Sequence, residues 1–171
     1  MNTPSDEDLI RQVMAGARAR YSILIQRHQS LLYRYAVGMV SNPRTAHGLV
    51  EETFVEAYGK LSEARRREGG VRAWLLSILR GRCLEVSRGP GQGRGDASGD
   101  PGETGGPSPP STLQEAIQVL PDPGLREAFL LKHVEGLEYP EMEAALGVGG
   151  DELRRRVHRA REMLWTGVDP G

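Results

Sequence analysis

Between Gly89 and Thr112 the chain reads GPGQGRGDASGDPGETGGPSPPST, without one aromatic or large aliphatic side chain. Such a stretch cannot bury enough apolar surface to offset the entropy of ordering it, so it reads as a disordered tether. The 171 residues then divide into two small pieces, 1–88 and 113–171, joined by residues 89–112. Gly-rich chain is flexible and the Pro-Ser-Pro-Pro end is stiffer. The pieces are therefore expected within reach of each other, with no fixed orientation.

The first piece reads as all-α, because its apolar residues recur at three- and four-residue steps. Ser5 and Asp6 cap a first helix that turns Leu9, Ile10 and Val13 inward and ends at Ala15-Gly16. A second helix is expected over residues 19–40, and Asn42-Pro43 breaks it. A third, over 44–61, is expected to bury Leu49, Val50, Phe54 and Tyr58. A fourth carries Val71, Trp74, Leu75, Ile78, Leu79 and Leu84 toward the core, so Trp74 is read as a core residue. The result is a small helical bundle of marginal size.

Beyond the tether, helices are expected over 113–120 and from Pro121-Asp122-Pro123 to about Val134, where Gly136 stops the second. YPEMEAAL, residues 139–146, forms a short helix with Pro140 in its first turn, where a missing amide costs little. Gly147 supplies a left-handed turn, Val148 packs inward, and Gly149-Gly150-Asp151 opens a last helix, making a helix-turn-helix. On that last helix Leu153, Val157, Ala160 and Leu164 share a buried stripe. Arg154, Arg155, His158 and Arg161 point the other way, where guanidinium groups can meet phosphates and guanine edges in a major groove. The same geometry also serves helical hairpins that never touch DNA.

Charge narrows the function classes. The formal net charge is only -1, but residues 1–88 hold 14 Lys and Arg against 9 Asp and Glu, and residues 113–171 hold 7 against 11. A uniformly basic nucleic-acid binder is excluded, and polyanion contact must come from local clusters such as Arg65-Arg66-Arg67 and Arg154-Arg155-Arg156. Either run also suits a solvated helix face. The single Cys83 rules out an internal disulfide, and no Cys/His spacing suits zinc. His28, His47, His133 and His158 are scattered, and no nucleotide-binding glycine motif follows a strand, so no catalytic residues, metal or cofactor are expected. The acidic N-terminus and the absence of any long apolar run lead to an expectation of a cytoplasmic protein with no membrane insertion.

Two separated blocks resemble a known family. Ala46 to Phe54, with Glu56-Ala57-Tyr58, is similar to the AEDLVQETFxxAW stretch of extracytoplasmic-function (ECF) sigma factors of the sigma-70 family, and Val71-Arg72-Ala73-Trp74-Leu75 to their FRAWL block. LPDPGLREAFLLKHVEGLEYPEMEAALGV, continued by LRRRVHRAREML, resembles their fourth-domain helix-turn-helix. The resemblance covers nearly all the chain outside the tether. It implies an alternative sigma factor of two helical domains, a region 2-like unit over 1–88 and a region 4-like unit over 113–171, that binds core RNA polymerase and promoter DNA. An anti-sigma factor is implied as a further partner.

By the same resemblance, Leu49, Glu51, Glu52 and Phe54 would dock on the polymerase. Arg65, Arg66, Arg67, Arg72, Arg80 and Arg82 would face the downstream promoter element and its melting. Glu152, Arg154, Arg155, His158, Arg159 and Arg161 would lie at the upstream element. Arg156 also falls on a family basic position, but its angle toward the buried stripe points to a structural salt bridge. The chain departs from the pattern at His47-Gly48 in place of Glu-Asp, at Glu51 in place of Gln, at Gly81 in place of Asn, and at Asp151-Glu152 in place of Gly-Thr. Two other readings stay open: a diverged sigma-like module that only binds polymerase or an anti-sigma factor, and a free-standing helix-turn-helix repressor, against which the negative charge of residues 113–171 argues.

Overall fold

The structure, a computed structural model, describes residues 3–67, 69–88, 117, 120 and 122–168. Every regular element among them is helical. The expected tether lies outside the described residues, as does the helix expected over 113–120 except for Ile117 and Leu120, both buried.

Helix α1, Asp6–Met14, begins with a capping box in which Ser5 and Asp8 satisfy each other's backbone amides. A short 3-10 turn at Arg18–Arg20 leads into α2, Tyr21–Val40, which Ser41 closes in the left-handed conformation at φ 61°. Asn42 caps α3, Pro43–Tyr58, by accepting from the amides of Arg44 and Thr45. Pro43 occupies the first turn, where its missing N–H goes unneeded. One further turn, α4 at Leu61–Ala64, precedes α5, Gly70–Arg88.

Trp74 is 3% exposed, as expected of a core residue, and lines one small cavity with Ile10, Leu24, Phe54, Leu61 and Val71. Tyr58 does not follow its expectation: it is 41% exposed and lies edge-on to Tyr21 with ring centres 5.1 Å apart. Tyr21 takes the inner position and donates its hydroxyl to the Phe54 carbonyl. Burial, with the Tyr58 phenol beside it, pushes Tyr21 up to about 12.

An ion cluster fastens α1 to α2. Asp6 accepts from Arg27 Nη1 at 2.9 Å and lies 2.8 Å from His28 Nε2, while Arg27 also reaches the Pro4 carbonyl at 2.6 Å. The His28 hydrogen bond, opposed by burial and aided by Arg27, holds Asp6 below its ordinary value of 3.8. A carboxylate with a depressed folded-state pKa contributes stability that is present above its unfolded pKa and lost as pH falls through the folded one. Urea unfolding should therefore show Asp6→Asn less stable than the parent at neutral pH, with the gap closing below about pH 4. A gap constant from neutral to acid pH would remove Asp6 from the account.

In the C-terminal unit, α6 spans Pro123–Phe129, with Asp122 capping it through the Gly124 amide. The helix expected to run on regularly to Val134 instead widens into a π turn, Leu130–Val134, with Glu135 N–H on the Leu130 carbonyl. Gly136 then reverses the chain at φ 70°. The helix-turn-helix follows as expected: α7 at Tyr139–Leu146, Gly147 left-handed at φ 69°, and α8 at Gly150–Val168. In the structure the two units are in contact. Tyr35 of α2, 0% exposed, donates to the Glu127 carboxylate of α6 at 2.9 Å, and Arg80 of α5 reaches the same carboxylate at 3.0 and 3.2 Å.

Candidate functional site

Helix α8 is amphipathic in the way its spacing predicts. Leu153, Val157, Ala160 and Leu164 are buried, while Arg154, Arg155, His158, Arg159 and Arg161 are exposed. The exposed side chains are not loose. Arg154 holds Asp151 at 3.2 Å and lies 4.9 Å from the ring centre of Tyr139, which also carries Lys132 Nζ at 4.5 Å. Tyr139 at the start of α7 is thus a platform for two cations, a role that spacing on α8 could not reveal.

Glu152 accepts from Arg155 at 2.9 Å and from Arg156 at 3.0 Å; these hydrogen bonds, Arg155's first, hold its carboxyl below the usual range. His158 pairs with Glu162 at 3.2 Å. Arg156 turns toward the domain, with its guanidinium 4.0 Å from the buried Glu127, in agreement with a structural role. His133 is lowered by burial first, and then by the charges of Arg161 and Lys132.

On α3 the four expected docking residues separate. Leu49 and Phe54 are 7% and 6% exposed, so they build the core and are not a contact surface. Glu51 and Glu52 do face solvent, Glu51 paired with His47 at 2.9 Å and Glu52 with Arg82 at 2.9 Å. Their exposed apolar companions are Val55 and Tyr58, 75% and 41% exposed, which the motif comparison passed over. The signal was in the chain: Glu51, Val55 and Tyr58 stand at i, i+4 and i+7 and share one helix face.

The six arginines expected at the downstream element also divide. Arg65, Arg66 and Arg67 are exposed in the turn after α4. Arg82 belongs to the α3 face, where it bridges Glu52 and Glu56 at 2.9 and 2.7 Å. Arg80 and Arg82 lie about 160° apart around α5, on nearly opposite sides, so they do not serve one surface. Arg80 meets Glu127, and Arg72 meets Glu141 of α7 through contacts of 2.6 to 2.9 Å. Two of the candidate DNA-facing guanidiniums are therefore occupied by carboxylates of the C-terminal unit. Among the described residues, no group of three or more His, Cys, Asp or Glu is placed to hold a metal ion.

Comparison with known proteins gives these surfaces a context. Residues 24–89 match Sigma-70 region 2, and residues 111–164 match Sigma-70, region 4. The ECF RNA polymerase sigma factor SigE of Mycolicibacterium smegmatis is 30% identical over 94% of this chain and 68% of its own length. RNA polymerase sigma factor CarQ of Myxococcus xanthus is 30% identical over 87% of this chain and 89% of its own. Among solved structures, the sigma factor RpoE in complex with the anti-sigma factor NepR, from Bartonella quintana, has a TM-score of 0.67 at 25% identity, covering 86% of this chain and 96% of that one. CnrH in complex with the cytosolic domain of CnrY shares the fold, with a TM-score of 0.68 at 24% identity over 92% and 93% of the two chains. With both family regions present in order and a similar relative matched along most of its length, the chain belongs to the ECF RNA polymerase sigma factors and is an alternative sigma factor directing transcription.

Proposed function

We propose that this sigma factor reads the upstream promoter element with α8, through Arg154, Arg155, His158, Arg159 and Arg161, with Glu152 orienting Arg155 and accepting from cytosine where one is in reach. The observation that carries the reading is the division of α8 into a buried apolar stripe and an exposed cationic side. A helix so divided can rest on its own domain and lay guanidinium groups into a major groove. In the same reading Glu51 and Glu52, with Val55 and Tyr58, form the face that docks on core RNA polymerase. The exposed Arg65, Arg66 and Arg67, joined by Arg72 and Arg80 when these are released, face the downstream element. The role involves no chemistry of its own, and its place is the cytoplasm with the polymerase. No described helix is long and apolar enough to cross a membrane. Bartonella RpoE was crystallised with an anti-sigma factor, and a protein inhibitor of that class is the further partner proposed.

In vitro transcription with purified core polymerase over a promoter library tests the assignment. The expected result is initiation from a defined promoter set, with affinity falling steeply as salt rises because phosphate contacts release counterions. Failure of the purified chain to associate with core polymerase would overturn it.

A further inference from the structure

Arg18 and Arg20 lie in the short turn between α1 and α2, outside the residues 24–89 that match Sigma-70 region 2. Gly16, at φ 116°, turns the chain out of α1, and Arg18, Ala19 and Arg20 are all exposed. Tyr21 follows directly and lines one small cavity with Leu61 of α4 and Val71 of α5. Those two residues bracket the exposed Arg65-Arg66-Arg67 run, so both groups of arginines stand at the same end of the bundle. None of the five makes an ion pair among the described residues. The carboxylate of α4, Glu63, is felt by Lys60 and makes no ion pair with the run. By contrast Arg72, Arg80 and Arg82 each hold a carboxylate at 3.0 Å or less.

Guanidinium groups gathered without carboxylates between them repel one another, and nothing in the folded chain offsets that repulsion. A run of phosphates would, because each planar fork can place two N–H groups on one phosphate. We propose that Arg18 and Arg20 extend the Arg65-Arg66-Arg67 turn into one track that grips the sugar-phosphate backbone of the opened downstream promoter strand. Contacts of this kind position a strand and leave its sequence to be read elsewhere. The sign of the charge separates this end from the polymerase face of α3, where Glu51 and Glu52 are exposed. The place of the track at the downstream element rests on the proposed role of Arg65, Arg66 and Arg67. The grouping of the five side chains does not.

Holoenzyme reconstituted from core polymerase and the full chain is bound to a promoter fragment whose downstream element is held open by mismatches, and fluorescence anisotropy is followed over a range of salt. Arg18→Gln combined with Arg20→Gln should weaken binding and lower the salt slope by about 1.4, two contacts at about 0.7 each on a single strand. Arg65→Gln combined with Arg66→Gln should lower it by a similar amount. Arg44→Glu is the control: it removes as much positive charge as either pair, from an exposed position beyond the far end of α2. It should leave the slope unchanged. All of these side chains are exposed, so helix content by circular dichroism should match the parent. Association with core polymerase is measured separately and should not change.

An unchanged slope for the Arg18 and Arg20 pair, beside a lowered one for the Arg65 and Arg66 pair, would overturn the role of Arg18 and Arg20 and leave the reading of the turn intact. Unchanged slopes in both pairs would overturn both. A lowered slope for Arg18 and Arg20 alone would overturn the shared track. An equal loss in Arg44→Glu would mark net charge only and count against a local surface. The loss should vanish on a fragment that ends upstream of the downstream element, and its persistence there would overturn the placement. Weaker association with core polymerase at an unchanged slope would assign the two arginines to the polymerase and overturn the DNA contact.

Discussion

Trp74→Ala lowers the stability of the chain by about 3–5 kcal/mol, the usual cost of emptying an aromatic site in a packed core. The indole is 3% exposed and lines one small cavity with Ile10, Leu24, Phe54, Leu61 and Val71, residues contributed by α1, α2, α3, α4 and α5. A domain of this size holds only about 5–15 kcal/mol in total, so the substitution removes a large share of what keeps the bundle folded. Chemical denaturation followed by circular dichroism measures it. Trp74→Phe, which keeps most of the volume, should lose far less and still support transcription. A cost below about 1 kcal/mol for Trp74→Ala would mean that the indole is not the centre of the bundle. The same burial removes Trp74 from any role in stacking an unpaired promoter base, since only 3% of it is exposed.

Arg154→Ala reduces promoter affinity by about 1–3 kcal/mol if the guanidinium reads a base, and less if it meets only phosphate. The geometry favours a large effect. Asp151 and the Tyr139 ring hold the side chain at 3.2 and 4.9 Å, yet it remains 60% exposed. An arginine ordered before binding loses less conformational freedom on docking, and its planar fork suits the paired acceptors of guanine. Tyr139→Leu should reproduce part of the loss by removing the platform while leaving the guanidinium in place. Binding to promoter variants separates the cases: base reading confines the penalty to particular base pairs, whereas phosphate contact weakens all sequences alike and lowers the salt slope. If Arg154→Ala and Arg155→Ala both leave reconstituted transcription untouched, α8 is not the recognition helix.

Much of the fold was legible because its signals are local. The Ser5 and Asp8 capping box, Asn42 followed by Pro43, and Gly147 at φ 69° are each satisfied within four residues of chain. The buried stripe of α8, and the inward turn of Arg156, followed from 100° per residue. Family motifs carry no such angle: Leu49 and Phe54 fall in the polymerase-docking motif yet turn inward, at 7% and 6% exposed, and Arg80 and Arg82 leave α5 on nearly opposite sides. Spacing also erred once, at Tyr58, because a residue on the border of a helix face is decided by its neighbours. Tyr21 competes for the same position and takes it.

The sequence alone determined that two helical pieces form, where the helix-turn-helix turns, and which family the motifs resemble, since periodicity, caps and motif order are properties of short runs of chain. Only the tertiary structure decided that the pieces close on each other and that Arg72 and Arg80 face Glu141 and Glu127. No local rule pairs residues 69 and 47 positions apart. A buried glutamate becomes stable only once Tyr35, Arg80 and Arg156, from three different helices, converge on it.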